Sequence, residues 1–261
     1  MEYRETSDTL GLVKVPLKAH YDAQTQRSKD NFNICANRDR MPLKVIKSLA
    51  LIKKCACIVN NNRSKIPHEH CEVIKKSCDD VMTGVLDDFF PLVIWQTGSG
   101  TQTNMNVNEV IASRSNEYLC GEIGRMQPIN PNDHINMSQS SNDIFPTAMH
   151  VSVVNEFVEF FNPSLDHFVK CLKMLEKKFS KVIKIGRTHM QDAVPITLGQ
   201  EFSGFGAQIE MNLSSLKHHL NYVLELAVGG TAVGTGLNAP QDFDSDICKE
   251  LNKVFRDIQK N

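Results

Sequence analysis

The sequence predicts a mainly α protein, with a small helical N-terminal domain over residues 1–140 and long helices of a bundle over 141–261. Two observations carry this. Apolar residues recur every three or four positions through several stretches after Met41. From Ala148 to Phe179, and again from Leu198 to Ala227, the same period runs for about 30 residues with almost no fault. No linker rich in Pro, Gly or Ser separates the two parts, so they are expected to pack directly.

Residues 1–40 are polar, with turn signals but little periodicity, and predict irregular structure. A helix follows from Met41, with Pro42 in its first turn and Val45, Ile46, Leu49, Ala50 and Ile52 on one face. Asn60–Ser64 breaks it. Val73, Ile74, Cys78, Val81 and Met82 mark a second helix near 68–83. Residues 92–97 predict a short extended piece leading into the Gly98 loop, and another helix spans about 104–119. The first long seam is expected to bend near Pro163. Thr197 and Gln200 form a capping box at the start of the second, and Gly229-Gly230 stop it. Rods of about 30 residues would be about 45 Å long and need long partners. A helical bundle completed by other chains follows.

Composition excludes several roles. The formal net charge is −1, so no global field favours nucleic acid or an anionic membrane. The pairs Lys53-Lys54, Lys75-Lys76 and Lys177-Lys178 read as solvated helix faces. No apolar run approaches the ~20 residues that span a bilayer. The N-terminus has neither a secretory layout nor the arginines of a transit peptide. Eight cysteines without regular spacing read as free thiols of a reducing environment, and a cytoplasmic location is expected, with a mitochondrial one as the alternative. His68, His70 and Cys71 are explained by a helix start beside Pro67, and no metal or cofactor is expected.

Three runs of small polar residues carry the chemistry: Gly98–Asn106, Ser138–Asp143 and Lys184–Pro195. They offer hydroxyls, amides and backbone N–H groups, and the first two abut predicted helix starts, where unpaired N–H groups and the positive dipole end favour carboxylates. Plain N-capping by Ser, Thr or Asn explains either run alone. Glycines on both sides of Ser99 exceed what a cap needs. His189, in a loop before a proline, is either a structural imidazole or the proton carrier of such a site. The run Gly229–Gly236 follows a helix and matches no phosphate-loop pattern, so a C-cap and turn is expected there.

In combination these motifs resemble the fumarase/aspartase superfamily, and within it the class II, iron-independent fumarate hydratases. Gly98–Glu109 is similar to the family's first signature, Pro131–Asp143 and Phe145–His150 to the next stretch, and Gly186–Glu201 to the second signature. Gly229–Asn238 fits as well, so the likeness runs from about Tyr3 to Asn238. The resemblance implies a fumarase/aspartase-type central bundle and a homotetramer whose active sites are each assembled from several chains. It implies reversible hydration of fumarate to L-malate without metal or organic cofactor, by acid–base chemistry on a charged aci-carboxylate that many fixed donors stabilise. By motif position Ser99, Gly100, Thr101 and Asn104 would bind one end of the substrate and Ser140, Ser141 and Asn142 the other. Thr188 would add a donor, and His189 would exchange the proton on the water side. Asn130, Asn132 and Asp133 fall on a secondary dicarboxylate site, with Asn130 where the family usually has histidine.

The family's third signature, a Gly-Ser-Ser-x-Met-Pro-x-Lys-x-Asn-Pro loop with the proton-abstracting serine, does not occur in these residues. The bundle is therefore expected to be incomplete, without the C-terminal domain, and the chain truncated, poorly soluble and of little activity alone. Two alternatives stand beside fumarate hydratase. An aspartate ammonia-lyase shares the bundle, but its relatives read differently at Gly98–Gln102 and at Ser141–Asp143. The other is a non-catalytic truncated subunit that only co-assembles.

Overall fold

The computed structural model describes residues 2–258 and is mainly helical, as the periodicity predicts. The chain forms two compact units, one comprising Val153–Glu225 and the other the segments on either side of it. This grouping rests on contacts, whereas the boundary expected near 140 separates elements by length.

The first unit opens with a hairpin, β1 (Tyr3–Asp8) and β2 (Gly11–Pro16), paired antiparallel with Tyr3 opposite Pro16 and Asp8 opposite Gly11. Helix α1 (Ala23–Asn31) follows. Residues 3–31 are thus more ordered than expected. Arg4 explains much of this order, because its guanidinium donates to the carbonyls of Pro16, Ala19 and Tyr21. A polar side chain, rather than apolar alternation, closes the segment.

Helices α2 (Leu43–Asn62) and α3 (His68–Thr83) lie where the apolar period places them, with Pro42 and Pro67 at their N-caps. Gly84 ends α3 in the left-handed region. The piece at 92–97 forms no strand, and only an isolated bridge pairs Val93 with Arg40. Helix α4 (Thr101–Cys120) begins three residues before the expected start, and a π-helical turn occupies Pro131–Ile135. Helix α5 (Ser141–Glu156) follows.

The last element of this unit, α8 (Phe243–Ile258), was not assigned from sequence. Phe243, Ile247 and Leu251 are buried in the same core cluster as Leu49, Ile52 and Cys55 of α2. Arg63 fastens it, donating to the Gln241 carbonyl and pairing with Asp246 at 2.6 Å.

In the second unit, Phe157–Phe161 is a π-helical segment and α6 spans Asn162–Lys178. Pro163 lies in the first turn of α6, and the widened turn before it takes up the missing N–H and the bulk of the ring. A hairpin of β3 (Ile183–Thr188) and β4 (Gln191–Thr197) leads into α7 (Leu198–Val223). The capping box is present, with Gln200 N–H donating to Thr197 Oγ1 and Thr197 N–H to Gln200 Oε1. Helix α7 ends at Val223, so its length is about 39 Å and Gly229-Gly230 is not its C-cap. Helices α6 and α7 run antiparallel, with the Phe179 and Phe202 rings stacked 5.9 Å apart and Gly206 facing Leu172.

Helix α4 is the buried axis of the first unit. Asn104, Asn106, Asn108, Glu109, Ser113, Ser115 and Asn116 are all buried. The Glu109 carboxylate caps α1 from outside, accepting the N–H groups of Asp22, Gln24 and Thr25 and the Thr25 hydroxyl. The α1 N-cap residue, Asp22, gives no side-chain cap of its own. Replacing Glu109 with Ala strands these donors and is expected to cost about 1–3 kcal/mol. Urea unfolding reads the loss, and the Gln24 and Thr25 amides should exchange with solvent faster than the rest of α1.

Candidate active site

Helix α4 starts in an unusual way. Its N-cap, Gly100, sits at φ 72° and gives the helix no side-chain acceptor. The acceptor comes from Gln96, whose Oε1 takes the Thr103 N–H and hydroxyl at 3.1 Å each. A side-chain cap from Thr101 or Asn104 is therefore not what this run is for. Ser99 and Thr101 are exposed, their hydroxyls 3.1 Å apart, with Thr97 3.2 Å from Ser99. Gly100 is buried, and a Cβ there would lie 2.2 Å from the Phe145 ring of α5. Only glycine allows both the positive φ and this approach, which fixes the first polar run against the second.

The second run is a true cap as well as a donor cluster. Ser140 Oγ accepts the Asn142 N–H, and Asp143 Oδ1 accepts the Ser140 N–H. Asp143 is buried, and its other oxygen accepts the N–H groups of Gly229 and Thr231 at 3.0 Å each. Asn142 donates to the Ala232 carbonyl. The glycine run expected to cap a helix instead wraps this carboxylate, and its left-handed positions at Gly229, Gly234 and Gly236 let it turn tightly.

The two runs meet at Asn104. Its buried Nδ2 donates to Ser141 Oγ at 2.9 Å and to Asn136 Oδ1 at 3.2 Å. Asn136 in turn accepts from Lys53, which also donates to Gln139 Oε1. Lys53 was read from sequence as half of a solvated pair, and this is corrected: it is 1% exposed. Full burial disfavours its charged form and lowers its pKa to about 7. The series Ile46, Ala50, Lys53, Cys57, Asn60 follows the helical period, and that signal could have found it. Lys54 does face outward, paired with Asp79 at 2.6 Å.

Asn130 lies on a separate turn. Its Oδ1 accepts the N–H groups of Asn132 and Asp133, so it caps the π-helical turn. Asn132 and Asp133 are exposed. A cavity of about 510 Å³ joins Asn130 and Asn132 to Thr101, Gln102, Arg27 and Asp8.

Thr188 and His189 belong to the other unit. His189 and Met190 form the two-residue turn between Thr188 and Gln191, at φ 50° and 60°. Two left-handed residues suit the twist of a hairpin, but neither is Asn or Gly, which normally serve there. His189 is exposed at the tip. The imidazole is thus carried on backbone in a sparsely populated conformation.

A family model described as Lyase matches residues 11–260. The chain belongs to this lyase family. It is 50% identical over 251 residues to the fumarate hydratase of Schistosoma mansoni, covering 96% of this chain and 51% of that protein. It is 49% identical to the mitochondrial fumarate hydratase of Rattus norvegicus, covering 95% of this chain and 49% of the relative. The crystal structure of class II fumarase from Schistosoma mansoni superposes with a TM-score of 0.94 at 49% identity, over 98% of this chain and 54% of that one. The resemblance to class II fumarate hydratases read from the motifs is thereby established, as is the fold class. This lyase-family chain spans about half the length of the curated relatives it matches.

Two outcomes follow from the site. Gly100→Ala meets both the Phe145 ring and a left-handed backbone, and is expected to lower stability by at least about 2 kcal/mol in urea. For Lys53, the folded pKa lies below the unfolded one, so between about pH 7 and 10.5 the unfolded chain binds the extra proton. Wild-type stability should therefore rise with pH relative to Lys53→Met in that window, by about 1.4 kcal/mol per pH unit at most. A flat difference would contradict it.

Proposed function

We propose that this chain supplies the dicarboxylate-holding donors and the proton-carrying histidine of a class II fumarate hydratase, acting on fumarate and L-malate. The observation that supports this best is the junction of two polar runs at Asn104 and Ser141, above two helix N-termini. Ser99, Gly100 and Thr101 would hold one carboxylate with hydroxyls and N–H groups, and Ser140, Ser141 and Asn142 the other. Charge developing on an aci-carboxylate would find these donors already oriented. Thr188 would add a donor, and His189 would exchange the proton at the hydroxyl-bearing carbon.

A homotetramer accords with this reading. In the second unit Phe160, Phe168, Phe205, Met211 and Leu216 are exposed along helices patterned for a larger core. If each site is assembled from several chains, the His189 hairpin and the polar runs need not serve the same site. Asn130, Asn132 and Asp133 would form the secondary dicarboxylate site, weakened because Asn130 occupies the N–H groups of its own turn. Among the described residues no helix is long and apolar enough to cross a membrane. Two relatives carry mitochondrial names, while the cysteines, all free, suit any reducing compartment, the cytoplasm included.

Titration with fumarate and L-malate, alongside an assay of L-malate dehydration by fumarate's ultraviolet absorbance, tests the reading. Saturable binding is expected, weakened at least about tenfold by Ser141→Ala. Turnover by these residues alone should be small, because the serine assigned as the base is not among them. His189→Asn should lower whatever turnover is found by about 10²–10⁴ and leave binding nearly unchanged. Failure of either dicarboxylate to bind, or indifference to Ser141→Ala, would sink it.

A further inference from the structure

Lys53 is an expensive residue to keep. It is fully buried, and the side chains that accept from its amine are uncharged. A buried lysine kept only for stability is better replaced by an apolar side chain. Its two acceptors are both side-chain amides, Asn136 Oδ1 at 3.3 Å and Gln139 Oε1 at 3.2 Å. Lysine can donate to both whether its amine is charged or neutral.

Each amide has its orientation set by its nitrogen as well. Gln139 Nε2 donates to the carbonyls of Ile135 and Met137, and Asn136 Nδ2 to the carbonyl of Gln139. The oxygens therefore face Lys53. Asn136 Oδ1 also faces Asn104, so Asn104 must turn its nitrogen toward it, since two amide oxygens would repel. The remaining hydrogen of Asn104 Nδ2 goes to Ser141 Oγ. Ser141 is thereby an acceptor on its inner side. Among the described residues no group accepts its own hydrogen, and it is partly exposed at the first residue of α5.

We propose that Lys53 is a positioning residue which, through Asn136 and Asn104, sets the Ser141 hydroxyl as an outward donor to a substrate carboxylate. If Asn104 were turned the other way, Ser141 would donate inward and present lone pairs to the anion, which would repel it. Successive donors polarise one another, so the effect reaches Ser141 without contact between Lys53 and the substrate. The inference rests on the dicarboxylate reading of the site.

Fumarate titration of the chain, with circular dichroism on every variant, tests it. Lys53→Met removes the donor and is expected to weaken binding at least about tenfold while the helical spectrum persists. Lys53→Gln restores one N–H donor without charge and should recover part of the loss. Asn136→Leu leaves Lys53 in place but cuts the relay, and should itself weaken binding at least about tenfold, which decides the matter if Lys53→Met does not fold. Wild-type binding by Lys53→Met or by Asn136→Leu overturns the proposal, as does equal loss in Lys53→Met and Lys53→Gln. Absence of fumarate binding by the unmodified chain overturns the dicarboxylate reading, and the role of Lys53 with it.

Discussion

The first unit is organised by the need to satisfy a polar helix buried in its core. Helix α4 places amides, hydroxyls and a carboxylate where most helices place leucine, and each such group costs free energy unless it is paired. The partners come from far along the chain. Glu109 holds the start of α1, Ser113 meets His20 and the Gly124 N–H, and Ser115 bonds Ser77 of α3. Asn116 both donates to and accepts from Ile129. An apolar core tolerates sliding, whereas these directional bonds admit one register. The position of the α4 N-terminus is fixed by bonds further along the same helix.

With that N-terminus fixed, the two runs of small polar residues keep a set spacing, joined through Asn104 and Ser141. Gly100 lets Phe145 lie against the first run, while Asp143 gathers the Gly229 loop around the second. Both runs thus have their backbones held by groups that are not themselves offered to a ligand. Ser140 Oγ and Asp143 close the start of α5, Gln96 closes α4, and Ser99, Thr101 and Ser141 keep hydroxyls at the surface.

Legibility in the sequence followed the kind of interaction involved. Helices α2 and α3 and the capping box at Thr197 rest on periodicity and local chemistry, which a sequence displays directly. The hairpin at Tyr3–Pro16 depends on Arg4 reaching carbonyls up to 17 residues away, and no local pattern announces that. Helix α8 did display its signal in Phe243, Ile247 and Leu251, but it lies beyond the glycine run where the motifs end. His189 was legible as a residue outside any helix, though not as the strained tip of a hairpin. The roles proposed for Ser99, Thr101 and Asn130 rest on motif resemblance; the burial of Lys53 follows the helical period, but its link to Asn136 depends on who accepts from whom, which no sequence displays.

The second unit obeys a different constraint. Two antiparallel helices and a hairpin can bury one face each, and here Val169, Leu172 and Leu213 lie in that single layer. The seams read from sequence are wider than this layer can cover, so apolar side chains remain on the outer faces and on β3 and β4, with Ile183 and Val194 largely exposed. A surface of this kind is stable only against further helices of similar length. The pattern that identified the rods therefore also states what they lack within Val153–Glu225, and in the homotetramer proposed above other chains would supply that layer. In that proposed homotetramer the His189 hairpin would take its rigidity from the assembly, so oligomerisation would be a condition of the proposed chemistry as well as of the packing.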